Sequence, residues 1–237
     1  MKKIFYAIGD VHGCDDLLQC LQARIVSDRE QRHPDSPATI VTVGDYVDRG
    51  PDSAAVIDRL MRGVDGFEMV CLKGNHEAML LACTQSDDWI VWRHWTGNGG
   101  DATLRSIGFD ARHGAYRAVD LIDALGPERL TWLRGLPLYH ETPDYLFVHA
   151  GIIPGRRIED QSEKDLLWIR DRFLASHLDH GRLVIHGHTP VSEPEIRHNR
   201  IGIDTGAFMT GRLTAVVLGE EEGPRFLTVE DALQYHR

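Results

Sequence analysis

The sequence has 237 residues, 42% hydrophobic and 26% charged, which is typical of a globular protein that buries a core without disulfide or metal staples. Its formal net charge of −10, with no basic stretch, excludes a general nucleic-acid binder. The apolar run that begins at Ile4 ends before Asp10, too short for a signal-peptide core or a membrane span, so we expect a cytoplasmic protein without a membrane partner.

Short apolar runs and helix-like spacing alternate along the chain. Apolar runs rich in strand-forming residues predict strands at Lys3–Ile8, Thr39–Val43, Phe67–Leu72, Tyr145–Val148, Leu183–Ile185, Arg200–Ile203, Leu213–Leu218 and Phe226–Val229. Apolar residues three and four apart predict helices at Asp15–Arg32, Asp52–Arg62, His76–Cys83 and Pro127–Leu133. The alternation predicts a layered α/β (α+β) fold, which we interpret as a single domain over residues 1–237. The shorter connections between the later strands indicate a mixed sheet or a second sheet.

The segment Trp89–His113 is rich in glycine and tryptophan and fits neither the strand period nor the helix period. We interpret it as a loop-and-helix insertion beside the functional site. Its tryptophans are compatible with packing under a loop and equally with a substrate platform, so both interpretations stay open.

Five polar motifs follow the ends of predicted strands. A single Gly-Asp after a strand is usually a turn, but functional groups in open α/β sheets collect outside the carboxyl ends of the strands. Five such motifs with related side chains therefore indicate one shared site. They are Gly9-Asp10-Val11-His12-Gly13, Gly44-Asp45, Gly74-Asn75-His76, His149-Ala150-Gly151 and His186-Gly187-His188.

The side chains of these motifs are typical of a site for two divalent metal ions. Asp10 and His12 stand two apart and can point to one side, and the carboxylate of Asp45 can bridge two cations. The other candidate ligands are Asn75, His149 and His188. Oxygen and nitrogen donors without thiolate favour Mn, Fe, Zn or Mg over a structural zinc site, and we expect Mn²⁺ to support activity. Two metals about 3.5–4 Å apart can activate a water for attack on phosphorus.

Phosphate binding and proton transfer need further groups. Arg49 suits a bidentate contact with phosphate oxygens, and Arg170 is a candidate second clamp, although Arg172 lies nearby. His76 is a candidate general acid, with Asp48 accepting its other N–H. His186 is ambiguous, because the strand period places it on the side of His188 although it could also only line the site. Histidines outside the strand-end pattern are interpreted as surface or structural residues: His33, His94, His113, His140, His177, His180, His198 and His236.

These motifs together resemble the phosphoprotein phosphatase family of the calcineurin-like metallophosphoesterases, in particular its small bacterial and phage serine/threonine phosphatases. The blocks that carry the resemblance are Gly9-Asp10-Val11-His12-Gly13, Gly44-Asp45-Tyr46-Val47-Asp48-Arg49-Gly50, Gly74-Asn75-His76-Glu77, His149-Ala150-Gly151 and Gly187-His188-Thr189-Pro190. The resemblance implies a central β-sandwich of mixed sheets flanked by helices. It also implies two metals at the strand ends and a phosphorylated protein or small phosphoester as substrate.

The resemblance also implies a role for each residue. Asp10 and His12 would hold the first metal and Asp45 would bridge to the second, whose further ligands would be Asn75, His149 and His188. His76 would be the acid supported by Asp48, and the groups in contact with the phosphate would be Arg49, Arg170 and Asn75. His186 falls outside this ligand set. The implied reaction is a single in-line attack by metal hydroxide, without a phosphoenzyme.

Two other functions compete with a protein phosphatase. The diadenosine tetraphosphate hydrolase branch usually has a small uncharged residue at the place of Asp48 and an aspartate at that of Glu77, so both positions favour the phosphatase branch. A non-catalytic binding scaffold of the same fold would require gaps in the ligand set, and the sequence has none. The oligomeric state is left open.

Overall fold

Residues 2–109 and 116–231 are described by a computed structural model. In these residues the strands are β1 (Ile4–Ile8), β2 (Ala38–Thr42), β3 (Glu68–Cys71), β4 (Tyr139–Glu141), β5 (Tyr145–Val148), β6 (Leu183–His186), β7 (Glu195–Ile196), β8 (Arg200–Gly202), β9 (Arg212–Leu218) and β10 (Arg225–Glu230). All eight predicted strands are present, and their ends agree with the prediction to within one residue. The short strands β4 and β7 were not predicted, because two or three residues carry no readable alternation.

The strands form two mixed sheets of five strands each, which confirms the predicted second sheet. The first has the order β10-β9-β1-β2-β3 and the second β4-β5-β6-β8-β7. In each sheet three strands run parallel, β1 with β2 and β3, and β5 with β6 and β8, and all of them except β8 precede candidate ligands. Parallel strands bring their carboxyl ends to one edge, and the site lies there.

The helices are α1 (Asp15–Arg32), α2 (Ser53–Arg62), α3 (Asn75–Cys83), α4 (Trp89–Trp95), α5 (Asp101–Ser106), α6 (Ala118–Leu125), α7 (Pro127–Gly135), α8 (Glu163–Trp168), α9 (Asp171–Leu174) and α10 (Ala207–Thr210). The four predicted helices are α1, α2, α3 and α7. Their ends agree with the prediction to within two residues, and Asp52 is the residue that precedes α2 rather than its first residue. Most of the unpredicted helices are too short for a helical period to be recognised.

The two sheets pack face to face, as a β-sandwich requires. Alternate residues of β1 point to opposite faces: Tyr6 packs among helices, whereas Phe5 and Ala7 pack between the sheets. The layer between the sheets consists of Phe5, Ala7, Val41, Val43, Leu72, Val216 and Leu218 from the first sheet side and Phe147, Ile185, Ile201 and Ile203 from the second. The outer face of the second sheet packs against α8 and α9 through Leu166 and Phe173.

The predicted insertion differs from the expectation in being mostly helical. It contains α4, a π-helical turn at Thr96–Gly100, and α5, and the kink falls at Gly99, whose φ is 105°. The wider turn shifts the phase between the two helices, which explains why no single period fits the segment. The end of the predicted segment at His113, like His236, lies outside the described residues.

A membrane-spanning helix was not expected. The described residues contain no helix that is both long and apolar enough to cross a bilayer.

Candidate metal centre

The candidate ligands from both sheets meet at the carboxyl ends of the parallel strands. None of these residues is more than 5% exposed, and they lie after β1 (Asp10, His12), after β2 (Asp45), at the start of α3 (Asn75), after β5 (His149) and after β6 (His188). Contacts join the two sheets at this point. The backbone N–H of His188 donates to Asp10 Oδ2 at 2.9 Å, and His149 Nδ1 lies 2.9 Å from the carbonyl oxygen of Val43. The structure therefore brings together all six predicted ligands.

The backbone is strained at this site. In the described residues, the non-glycine residues with a positive φ are His12, Asp45, Asp48, Arg49 and His188, with φ between 44° and 74°. Side chains with a Cβ pay a steric penalty in this region, and such residues concentrate where function requires an unusual direction of the side chain. All five were predicted site residues.

Asp45 lies at the centre of the cluster. Its Oδ2 is 3.5 Å from His12 Nε2, and its Oδ1 is 3.4 Å from His149 Nε2. Burial acts to raise the pKa of Asp45, but the nearby imidazoles of His149, His76 and His12 outweigh it and lower the pKa. Asp45 belongs to both groups of side chains whose ligand atoms lie within 4.8 Å of one another, one on each side of its carboxylate. This position suits a bridging ligand.

The second group lies around the amide of Asn75. Its Oδ1 is 2.8 Å from His149 Nε2 and 2.8 Å from His188 Nδ1. Burial lowers the pKa of His149, and lowers that of His188 to about 2, so both imidazoles are neutral and can offer a lone pair. Three candidate ligand atoms, Asn75 Oδ1, His149 Nε2 and His188 Nδ1, thus converge beside Asp45.

Asp10 has a neighbour that the sequence did not identify as functional. Asp204 follows β8 and is 3% exposed. Burial raises the pKa of Asp10, and the adjacent carboxyl groups of Asp204 and Asp45 raise it further. Burial likewise raises the pKa of Asp204 to about 6. Its position directly after a parallel strand was the signal that could have found it.

The donor set fits divalent cations. Buried carboxylates this close repel one another unless positive charge lies between them. In the described residues, Asp10 Oδ1 is buried without any hydrogen-bond partner, although buried polar atoms are normally paired. His12 Nδ1 lies 2.9 Å from the Val47 carbonyl, so it carries the proton and leaves Nε2 as a lone pair towards Asp45. These lone pairs are what a metal ion would bind.

His76 forms a close pair with Asp48 at the edge of the cluster. His76 Nδ1 donates to Asp48 Oδ2 at 2.6 Å, and both side chains are buried. Burial acts to lower the pKa of His76, but the carboxylates of Asp45 and Asp48 outweigh it and raise the pKa. His76 Nε2 is also 3.9 Å from Asp45 Oδ2 and belongs to the group with His12, so geometry alone allows a ligand as well as an acid.

Arg49 lies against this same edge. Its Nη1 lies 3.1 Å from His12 Nε2 and its Nη2 lies 3.1 Å from His76 Nε2, and its guanidinium lies 4.7 Å from the centre of the Phe208 ring. Arg49 is exposed to solvent at this edge of the cluster. Arg170, which precedes α9, is exposed, and its charge helps to lower the pKa of His149 and His188. Arg170 is therefore near enough to the second group of ligands to act on it electrostatically.

Glu77 supports the loop that carries Asp45. Its buried carboxylate accepts the backbone N–H groups of Gly74, Asp45 and Tyr46 at 2.8–2.9 Å. Glu77 therefore holds two strand-end loops together, and neither of its carboxylate oxygens is free to contact a substrate. A glutamate at this position determines the loop geometry.

His186 lies apart from the ligands. Its Nε2 is 3.3 Å from Arg200 Nη1, and its ring meets Phe173 edge-on at 5.1 Å. Burial lowers its pKa to about 4. His186 packs against the outer side of the second sheet, in agreement with its omission from the predicted metal ligands.

Known proteins resemble this chain over most of its length. Serine/threonine-protein phosphatase 1 of Salmonella typhimurium is 33% identical over 220 residues, which cover 88% of this chain and 89% of the relative. The asymmetrical bis(5'-nucleosyl)-tetraphosphatase PrpE of Halalkalibacterium halodurans is 29% identical over 246 residues, covering 92% and 91%. The crystal structure of a candidate diadenosine tetraphosphatase shares the fold, with a TM-score of 0.69 and 24% identity over 97% of this chain and 94% of that one.

The profile of the calcineurin-like phosphoesterases matches residues 4–219, which include every strand-end motif. The two mixed sheets flanked by helices agree with this family. The chain therefore belongs to the calcineurin-like phosphoesterases and is a hydrolase of phosphoesters.

Proposed function

We propose that the protein is a Mn²⁺-dependent phosphomonoesterase that acts on phosphoserine and phosphothreonine in proteins and tolerates small phosphoesters. The observation that carries this proposal is the buried pair of His76 and Asp48, joined at 2.6 Å beside the metal ligands. The similarity to the Salmonella phosphatase supports it.

The leaving group explains why this pair favours a phosphoprotein. Phosphoserine and phosphothreonine release an alkoxide, which is strongly basic and needs a proton as the bond to phosphorus breaks. His76, held through Nδ1 by Asp48, can present a proton on Nε2 to that oxygen. A dinucleoside polyphosphate instead releases a nucleotide phosphate, which is weakly basic and leaves without a proton.

The metals would be held by the strand-end residues in two sets that share Asp45. We propose Asp10 and His12 for one set, in which His12 and Asp45 have ligand atoms within 4.8 Å of each other, and Asn75, His149 and His188 for the other. When bound, two divalent ions polarise the phosphoryl oxygens and lower the pKa of a water molecule that attacks phosphorus. Nitrogen and oxygen donors without thiolate support Mn²⁺, with Fe, Zn and Mg as the other candidates.

The remaining polar groups would bind the substrate. The guanidinium of Arg49 contacts His12 and His76, and the charge of Arg170 acts on His188, so we propose that both arginines donate to the equatorial phosphoryl oxygens. Asn75 can donate through its amide nitrogen while its oxygen faces a metal. His76 borders a metal group but binds Asp48 through Nδ1, and we therefore propose it as the acid rather than a ligand.

The test compares substrates at equal Mn²⁺: a phosphoserine peptide, a phosphothreonine peptide, a phosphotyrosine peptide and diadenosine tetraphosphate. We expect kcat/KM to be highest on the phosphoserine and phosphothreonine peptides. A higher kcat/KM on the phosphotyrosine peptide would overturn the specificity for phosphoserine and phosphothreonine and leave a phosphomonoesterase. Preference for the dinucleotide would overturn the protein phosphatase.

The second candidate is a bis(5'-nucleosyl)-tetraphosphatase, because the PrpE relative covers nearly all of this chain. Under that function Asp48 would be dispensable, since the leaving phosphate needs no proton. Asp48→Asn would then keep wild-type turnover on diadenosine tetraphosphate. A cytoplasmic location, a single domain over residues 1–237 and the lack of a nucleic-acid partner stay predictions.

A further inference from the structure

Asp48 has two buried partners besides His76, and both come from the insertion that follows α3. Trp95 Nε1 donates to Asp48 Oδ1 at 3.0 Å and to Oδ2 at 2.9 Å. Thr103 Oγ1 donates to Asp48 Oδ1 at 2.6 Å. Trp95 and Thr103 are both fully buried. The carboxylate therefore has donors on both oxygens, and only one of these donors is the histidine.

The backbone of Asp48 is held by the same residues. Its N–H donates to Thr103 Oγ1 at 2.8 Å and to Ser53 Oγ at 3.1 Å. Thr103 thus accepts from the backbone and donates to the side chain of one residue. Asp48 has a φ of 74°, and a strained conformation of this kind persists only where its surroundings fix it.

The π-helical turn between Trp95 and Thr103 makes a matching contact with Arg49. The N–H of Arg49 donates to the Gly99 carbonyl at 3.1 Å. A Cβ at Gly99 would lie 2.7 Å from Arg49 Cγ, and a Cβ at Gly100 would lie 2.7 Å from the Trp95 ring. Both glycines are therefore needed for the close approach. The segment 95–103 therefore has one contact surface for the consecutive residues Asp48 and Arg49. Its members are Trp95, Gly99, Gly100 and Thr103.

We infer that the segment 95–103 is a clamp that positions the Asp48–His76 pair and Arg49 for protonation of the leaving group and for phosphate binding. The inference rests on the proposed function of His76. Trp95 and Thr103 are positioning residues, because they reach the substrate only through Asp48. Without their donors, the Asp48 carboxylate could rotate away from His76 Nδ1, and the imidazole would lose its orientation.

The test separates positioning from general stability by the leaving group. Trp95→Phe and Thr103→Val each remove a donor to Asp48 and keep most of the side-chain volume. We expect kcat on a phosphoserine peptide to fall roughly 10-fold in each variant, the effect of one lost hydrogen bond to a charged group. On p-nitrophenyl phosphate, whose leaving group needs little protonation, kcat should stay close to wild type. Thr103→Ser keeps the hydroxyl and should restore wild-type values.

Matched controls come from the same region. Trp92→Phe removes an indole N–H that donates to the Ser86 carbonyl at 2.8 Å, and Thr84→Val removes a hydroxyl that donates to the Leu81 carbonyl at 2.7 Å. Neither control variant should lower kcat on the phosphoserine peptide more than kcat on p-nitrophenyl phosphate. An equal fall on both substrates in Trp95→Phe and Thr103→Val would overturn the clamp, as would the same selective loss in Trp92→Phe. If Trp95→Phe does not fold, the Thr103→Val and Thr103→Ser pair decides.

A second measurement does not depend on turnover. The short hydrogen bond from His76 Nδ1 to Asp48 should give a low-field proton resonance, assigned by its loss in His76→Asn. We expect Trp95→Phe and Thr103→Val to shift or broaden this resonance and Trp92→Phe to leave it unchanged. An unchanged resonance in the first two variants would contradict the clamp. If His76→Asn shows no dependence on the leaving group, the general-acid function fails, and the resonance still tests the clamp separately.

Discussion

His149 and Asp45 face each other with Nε2 and Oδ1 3.4 Å apart, both buried. His149 Nδ1 donates to the carbonyl of Val43, so Nε2 carries a lone pair that points to a carboxylate oxygen. Burial lowers the pKa of His149, which disfavours a proton between them. Two acceptors at this distance are stabilised by a cation, and the same relationship recurs between His12 and Asp45 at 3.5 Å.

Replacing the shared carboxylate should therefore affect both metals. We expect Asp45→Asn to lower Mn²⁺ affinity by more than the roughly 10–100-fold typical of residues that only support a ligand. Turnover should fall with it, because activation of the attacking water depends on the ions. Metal content by elemental analysis and kcat on p-nitrophenyl phosphate would measure both effects.

The matched control for this variant is Asp58→Asn, since Asp58 pairs with Arg129 on α7, away from the cluster. It should retain two metals and full turnover. Wild-type occupancy in Asp45→Asn would show that Asp45 does not bridge.

His76→Asn should separate an acid from a ligand. As the acid, His76 contributes to proton transfer, and its loss should lower kcat on a phosphoserine peptide by about 100- to 10,000-fold while two metals stay bound. On p-nitrophenyl phosphate the loss should be much smaller. Loss of one metal ion would instead identify His76 as a ligand, the alternative that its distance of 3.9 Å from Asp45 allows.

The strand-end residues could be predicted because the rule that locates them is local. A parallel strand ends, a glycine allows a bend, and the next polar side chain points to the shared edge, as for Asp10 and Asp45. Which sheet each strand joins depends on long-range pairing. Prediction of the site, however, required only the positions of the strand ends. The fold class and the convergence of the candidate ligands could therefore be predicted before the strand order.

The supporting residues could not be predicted, because their partners are remote in the chain. Trp95 and Thr103 bind Asp48 across 47 and 55 residues, and no spacing within the sequence relates them. The π-helical turn between them also obscures the helical period. Glu77 could be recognised as part of a motif, but its role under the Asp45 loop follows only from the backbone geometry.

Arg170→Ala should weaken phosphate binding. Its charge acts on His149 and His188, and we therefore expect it to attract a phosphate held beside them. Loss of a charge-assisted hydrogen bond predicts a fall in kcat/KM of about 10- to 100-fold and a matching rise in the inhibition constant of inorganic phosphate. Arg172→Ala, an exposed arginine within α9, is the matched control and should leave both values unchanged. Equal effects in the two variants would argue against a specific contact between Arg170 and the phosphate.

Glu220 gives a prediction about stability away from the site. Its side chain is 6% exposed and pairs with Arg225 at 2.9 Å and with His33 Nε2 at 2.8 Å. Burial acts to raise the pKa of Glu220, but the hydrogen bonds from Arg225 and His33 outweigh it and lower the pKa. The ionised form is therefore favoured in the folded protein, so Glu220 stabilises the fold above its unfolded pKa of about 4.3.

This stabilisation should disappear as the pH falls through the lowered folded-state pKa. We expect Glu220→Gln to lower Tm at pH 7 and the difference from wild type to shrink progressively below about pH 4.3, where the carboxylate takes up protons. Glu222→Gln is the control, because Glu222 is 87% exposed and contacts only Arg32 at 3.7 Å among the ion pairs of the described residues. Exposed ion pairs contribute little to stability, so the Tm of Glu222→Gln should match that of wild type both at pH 7 and below about pH 4.3. A difference for Glu220→Gln that stays constant with pH would mean that the side chain stabilises the fold by packing rather than by charge.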